Sequence, residues 1–244
     1  MLLHFLVALR FLTIFSFGKN ISDKSNVLAR SMVFFPLVGF LIGIFSWELF
    51  VFTRSIFPER FSVFILIAGP VLFSGGLHVD GFSDFCDGFF GGKNKADILR
   101  IMKDPHIGSW AVVGVIFLML AKFELLQALP GRNVFFLMAM VCSRWAQVAL
   151  SFFLPYAGTG GGLGEMVARK IGRRELIGAT LFLLPIFFWA RIPGVIVFAA
   201  LVVFLVLLGY FFHRRIGGIT GDLLGATSEL SELFVYGLAT AVVR

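Results

Sequence analysis

Long uninterrupted apolar runs recur down this chain, and they decide what it can fold into. They lie at about 2–17, 31–53, 61–77, 109–129, 133–154, 176–190, 194–212 and 231–243. Most approach the ~20 residues that a helix needs to cross the hydrocarbon core of a bilayer. Inside lipid, backbone N–H and C=O groups find no water, so a crossing segment satisfies them within a helix or a closed barrel. These runs are continuous and do not alternate polar with apolar, which argues against a barrel. Composition agrees: 59% of residues are hydrophobic, 14% are charged, and the mean hydropathy is +0.95. A soluble domain carries about a quarter charged residues. The expected fold is all-α, a polytopic integral membrane protein of about seven helices (six to eight), forming one domain over residues 1–244. The first and last runs are short enough to lie in the interface or re-enter. Pro185 and Pro193 interrupt the sixth and seventh, with Trp189-Ala190-Arg191 placed at an interface.

The charge of +7 matters less than where it falls. Alternate connections hold Lys19, Lys24 and Arg30; Lys93, Lys95, Arg100 and Lys103; Arg169, Lys170, Arg173 and Arg174; and Arg214 and Arg215. The remaining connections and the C-terminus hold Arg54, Arg60, Lys122, Arg132, Arg191 and Arg244. The positive-inside rule assigns the richer set to the cytoplasm. Basic residues placed this way serve topology and lipid headgroups, so membrane lipids are expected partners and nucleic acid is not. Cys86 and Cys142 lie far apart and form no CxxC pair, so reduced thiols are expected. The stretch 1–17 lacks a basic start and an A-x-A-like exit, so no cleaved signal is expected.

The polar residues gather into motifs on the richer side. In Gly75-Gly76-Leu77-His78-Val79-Asp80-Gly81-Phe82-Ser83-Asp84-Phe85-Cys86-Asp87-Gly88, three aspartates follow an i, i+4, i+7 spacing. On a helix that puts Asp80, Asp84 and Asp87 on one face. Carboxylates so close repel one another unless a cation sits between them. Oxygen-only ligands suit Mg²⁺ or Mn²⁺ rather than zinc. Gly81 and Gly88, lacking side chains, leave room for a phosphate or a neighbouring helix. The plainer alternative is an acidic, solvated helix start.

Further along, Arg100-Ile101-Met102-Lys103-Asp104-Pro105-His106-Ile107-Gly108 sets Arg100 and Lys103 one helical turn apart, able to hold phosphate oxygens. Asp104 before Pro105 marks a turn into the next segment. Ser143-Arg144 lies deep in an apolar run, where an ionisable residue faces a cavity or a partner. Glu48 and Glu124 sit nearer segment ends and say less. The glycine-rich stretch 158–165 offers backbone N–H groups to a ligand, or is simply a linker; it is no Walker motif. The stretch 214–232 brings Arg214, Arg215, Gly217, Gly218, Thr220, Asp222, Glu229 and Glu232 to a membrane boundary, and on a helix from Asp222, Glu229 falls two turns on and Glu232 one turn beyond. Two acidic clusters, phosphate-competent bases and glycines on one membrane face suggest metal-assisted phosphoryl transfer.

With these motifs in view, the chain resembles the cobalamin synthases, also called adenosylcobinamide-GDP ribazoletransferases. The resemblance rests on GGLHVDGFSDFCDG at 75–88, RIMKDPHIG at 100–108, SR at 143–144 and RRIGGITGDLLGATSELSE at 214–232, and spans essentially the whole chain. It implies Mg²⁺-dependent joining of adenosylcobinamide-GDP to α-ribazole or α-ribazole 5′-phosphate. A ribose hydroxyl attacks the activated phosphate and GMP leaves, as the last assembly step of the cobalamin nucleotide loop. It also implies a bacterial inner membrane location with the site facing the cytoplasm, and leaves room for a homo-oligomer or a complex with other cobalamin-assembly enzymes. On this footing Asp80, Asp84, Asp87, Asp222, Glu229 and Glu232 are the expected metal ligands. Asp80, Asp84, Lys103 and Arg144 are expected to act in catalysis, with His78 as a base or a supporting partner. Gly81, Gly88, Arg100, Asp104, Ser143, Arg215, Gly217, Gly218 and Thr220 are expected to bind substrate.

Two other readings stand beside this one. A CDP-alcohol phosphotransferase also uses helix-borne aspartates and glycines, but carries D-G-x-x-A-R then G-x-x-x-D-x-x-x-D. Here Asp80-Gly81 is followed by Ser83-Asp84 without the arginine, and Asp87 comes too soon. A transporter would show inverted repeats with charges near the midplane, and this chain has no internal repeat.

Overall fold

The computed structural model describes residues 1–15, 25–158 and 171–243. Most of the glycine-rich stretch 158–165 lies outside the described residues, as do Lys19, Lys24, Arg169, Lys170 and Arg244. Among the described residues the chain forms eleven α-helices: α1 (Leu2–Leu12), α2 (Ser25–Ser31), α3 (Phe35–Arg54), α4 (Glu59–Phe73), α5 (Leu77–Gly91), α6 (Lys95–Ile101), α7 (Ser109–Ala128), α8 (Arg132–Phe153), α9 (Arg173–Leu181), α10 (Leu184–Ile216) and α11 (Gly221–Val242). A turn of 3-10 helix at Met32–Phe34 joins α2 to α3. The one β contact among them is a parallel bridge between Tyr156 and Ile219. The all-α, multi-pass architecture read from hydropathy is the one observed.

Among the described residues, fewer stretches than the expected seven pass for spans by length and apolarity alone. Four stretches are long and apolar enough to span: Asn26–Arg54, Ser109–Ala128, Arg132–Phe153 and Leu184–Ile216. A fifth arises only if α4 and α5, which meet at 90°, are counted as one bent span. The reasons are local. The first apolar run yields only the 11 residues of α1, about 16 Å at 1.5 Å per residue. The sixth and seventh runs contribute to α9 and α10; their proline-rich junction lies inside α10, where Arg191 leaves the helical region (φ 54, ψ −149). Twenty-two residues make α11 long enough to cross, but it carries three acids.

Burial orders these helices. The span in α8 is 89% buried, against 22% for that in α7 and 33% for that in α10, so α8 is the axis and the other two turn broad faces outward. Around α8 pack α3, α10 and α11, and α11 packs in turn on α5 and α7. Helices in lipid associate through close approach of small residues. Between α3 and α8, a Cβ on Gly39 would collide with the Met140 carbonyl oxygen, and one on Gly43 would stand 2.8 Å from Leu137 Cδ2. Hydroxyls inside the bundle turn back onto their own helices, Ser46 onto the Ile42 carbonyl at 2.8 Å and Thr227 onto that of Leu223 at 2.7 Å.

Gly39→Val forces its methyl groups into the α8 backbone, and overpacking of this kind costs about 1–3 kcal/mol. The expected result is a lower unfolding midpoint in detergent. Gly221→Ala, at a position with nothing within 4 Å of the added carbon, should melt with the unaltered protein. Equal midpoints for all three proteins would refute this packing.

Candidate active site

The site is assembled where α5 crosses α11. Gly75 (φ 62) and Gly76 (φ 77) adopt the left-handed backbone that turns the chain out of α4 and into α5. Four residues on, a Cβ at Gly81 would stand 2.6 Å from the Asp222 carbonyl oxygen, and one at Gly225 would stand 3.1 Å from the His78 carbonyl. The two helices therefore touch backbone to backbone. This contact brings Asp222 to the acidic face of α5: the charged neighbours of Asp84 are Asp222, Asp80 and Asp87. Asp80 is exposed, while Asp84 and Asp222 are half-buried. The charge on Lys103 acts on Asp222 from the neighbouring connection. Arg100 is exposed and 3.8 Å from Asp97. Asp104 is exposed too, its carboxyl held below the usual carboxylate range by the backbone N–H and then the ring of His106.

The backbone before α11 is fixed from both sides. Gly217 (φ 83) ends α10. Ile219 then donates to the Pro155 carbonyl and accepts from the Ala157 N–H, both at 2.9 Å. Thr220 caps α11 by accepting from the Leu223 N–H. Gly218 packs so closely on the Pro155 carbonyl that any side chain would collide with it. Gly218 and Thr220 thus shape the entry to α11.

Several other expected site residues also make structural contacts. Asp87, while near Asp84, also holds α7: its Oδ2 accepts from the Gly108 N–H at 2.6 Å and its Oδ1 from the Ala111 N–H at 2.9 Å, capping that helix. Arg215 donates to the carbonyls of Phe89 (3.0 Å) and Gly92 (3.2 Å), closing the end of α5, and lies over the Phe89 ring. A Cβ on Gly88 would meet Met102 Cγ at 2.5 Å, so this glycine seats α6.

Glu229 and Glu232 belong to a separate buried cluster. Lys122 Nζ donates to Glu229 at 2.5 Å and to Glu232 at 2.6 Å. Arg144 pairs with the other oxygen of Glu232, donates to Ser143 Oγ at 2.8 Å, and donates through Nη2 to His78 Nδ1 at 3.3 Å. All six residues are buried. Lys122 was assigned to a connection on sequence and instead stands inside α7. The signal that could have located it was the acidic pair Glu229 and Glu232 in an otherwise apolar run, since charges in lipid come with partners.

Two cavities open beside Asp80. The larger, about 810 Å³, runs along α4, α5 and α7 past Ser74, Val79 and Ser83. The smaller, about 230 Å³, lies between α5, α8 and α11 and is lined by His78, Gln147 and Asp222 among apolar side chains. Phe11, Leu77 and Asp80 border both. Among the described residues, no three His, Cys, Asp or Glu side chains form a group that could by itself hold a metal ion.

A helical membrane enzyme that holds an acidic mouth beside lysine, at the end of its spans, has the parts for chemistry on phosphates. The sequence model of the cobalamin-5-phosphate synthase family matches residues 4–240. The chain belongs to that family, whose members are transferases of cobalamin biosynthesis. Among its relatives, the adenosylcobinamide-GDP ribazoletransferase of Chlorobaculum parvum is 37% identical over 249 residues, covering 98% of this chain and 95% of the relative. That of Chlorobaculum tepidum is 38% identical over 86% of this chain and 85% of the relative. That of Clostridium kluyveri is 31% identical over 98% and 96%. No solved structure matches the chain.

Removing one member of the buried cluster strands its partners. Lys122→Met should cost about 3–5 kcal/mol, read as a large fall in melting temperature. Adding Glu229→Gln to that variant should recover much of the loss, because one uncompensated charge goes with it. A single variant as stable as the unaltered protein would show that the cluster does not hold α7 to α11.

Proposed function

We propose that this chain is an adenosylcobinamide-GDP ribazoletransferase. It joins adenosylcobinamide-GDP to α-ribazole or its 5′-phosphate, and releases GMP at the last assembly step of the cobalamin nucleotide loop. Family membership supports the reaction, and the observation that carries its location is the meeting of Asp80, Asp84 and Asp222 at the α5–α11 crossing. A mouth this acidic repels a pyrophosphate unless a cation intervenes.

The donor set fits Mg²⁺ in one particular way. Mg²⁺ is commonly held by one or two carboxylates with substrate phosphates and water completing its shell. Asp80, Asp84 and Asp222 would supply carboxylates of that kind. Bound there, Mg²⁺ supplies charge neutralisation on the transferring phosphate. The chain's own residues do the rest. Lys103, beside Asp222, attracts phosphate oxygens. The ion cluster beneath holds α5, α7, α8 and α11 in one frame, which fixes where the carboxylates stand.

The site faces the cytoplasm, at the inner membrane. Lys93, Lys95, Arg100 and Lys103 adjoin α6 at the same end as the aspartates, with Arg214 and Arg215 ending α10 there. Arg54 and the Arg132–Glu59 pair (2.6 Å) mark the opposite end. The positive-inside rule orients the bundle accordingly.

The test is the purified protein in liposomes with adenosylcobinamide-GDP, α-ribazole and Mg²⁺, following GMP and the corrinoid product by chromatography. EDTA should abolish both products, and Asp84→Asn should lower turnover at least about 100-fold while the protein stays folded. Asp87→Asn should act mainly on stability, by weakening the start of α7. Normal turnover by Asp84→Asn would overturn the assignment of the acidic mouth.

A further inference from the structure

The smaller cavity holds two polar atoms that the bundle leaves unmet. His78 and Gln147, 2% and 3% exposed, both line it, and among the described residues His78 Nε2 and Gln147 Oε1 have no hydrogen-bond partner. Their chemistry is set by what their other ends do. A guanidinium has only donors, so His78 Nδ1, facing Arg144 Nη2 at 3.3 Å, presents its lone pair. The proton of the neutral ring is then on Nε2, which makes that atom a donor and removes it as a base. Gln147 gives its amide N–H to the Leu224 carbonyl at 3.2 Å, which leaves Oε1 as an acceptor. One donor and one acceptor thus stand in a pocket lined also by the apolar Phe11, Met32, Phe35 and Leu224 and by the carboxyl-bearing Asp80 and Asp222. Left unmet, buried groups of this kind are costly. A hydroxyl answers both, accepting from His78 and donating to Gln147.

We propose that this cavity binds the acceptor nucleoside, with its apolar base against Phe11, Met32 and Phe35 and a ribose hydroxyl between His78 Nε2 and Gln147 Oε1. The inference rests on the ribazole-transfer reading and deepens it by naming the acceptor's place. Size favours it: about 230 Å³ holds some seven or eight waters at ~30 Å³ each, enough for a base and part of a sugar and far too little for a corrinoid. A benzimidazole carried on ribose brings no ring N–H and so suits the apolar part of the wall. The shared border at Asp80 then points the rest of the ribose toward the acidic mouth. His78 and Gln147 are binding residues in this scheme, and the proton transfer falls to other groups.

The experiment is calorimetric titration of the full chain in detergent with α-ribazole, and separately with adenosylcobinamide-GDP. Gln147→Leu should weaken α-ribazole about 10- to 100-fold and leave the GDP-bearing donor within twofold. A series of deoxyribose analogues of α-ribazole, titrated into the unaltered protein, should contain one member that loses about the same factor. That same analogue should bind Gln147→Leu and the unaltered protein alike. If Gln147→Leu fails to fold, the analogue series alone decides. Unchanged α-ribazole affinity in the variant, equal weakening of both substrates, or no analogue weaker than the parent overturns the proposal, leaving only water in the pocket. GMP release by the unaltered protein together with any of these outcomes condemns the pocket alone. Intact α-ribazole binding without GMP release condemns the transfer reading instead.

Discussion

Lys122, on a helix that turns much of its surface to lipid, reaches inward to both Glu229 and Glu232, and Arg144 meets Glu232 from the other side. Charges in such surroundings are costly unless paired and hydrogen-bonded. Ser143 and His78 extend the pairing, so that side chains from α5, α7, α8 and α11 share one network. Apolar contacts in lipid give little preference for one helix register over another. A network with directional partners does, because sliding any helix by one turn would strand a charge. The rest of the bundle inherits its registration from this point.

Above the network, glycines do what side chains cannot. The contact of Gly81 with the Asp222 backbone lets two carboxyl-bearing helices approach far more closely than mutual repulsion favours. The work of holding them there is spread over neighbouring elements: Thr220 and the Ile219 pairing at the start of α11, Arg215 at the end of α5, and Asp87 binding α5 to α7. Residues that resemble ligands by type are in several cases the clamps that keep the true candidates in place.

That distinction explains what the sequence could and could not disclose. The all-α membrane architecture, the acidic motif at 75–88 and the family resemblance were legible, because apolar run length and unusual motif composition are local properties. The partners of charges are not local. Lys122 is 107 residues from Glu229, and nothing near it says that it faces inward. Asp87 shares the helical face of Asp80 and Asp84 by spacing, yet the arrival of α7 draws it to backbone donors 21 and 24 residues away. The break between the sixth and seventh runs was legible too: hydropathy registers two runs on either side of Pro193, and two helical stretches meet at a kink at Arg191.

The buried cluster contains two cationic and two anionic side chains, Lys122 and Arg144 against Glu229 and Glu232. Its net charge is zero, and in an energised membrane that balance has an electrical meaning. A lone charge moved through the whole bilayer field exchanges about 2.3 kcal/mol for every 100 mV, so an unbalanced centre would feel the respiratory state of the cell as a mechanical pull on its helix. A neutral quartet feels almost none. A centre balanced in this way allows a polar interior at little cost in sensitivity to the membrane potential.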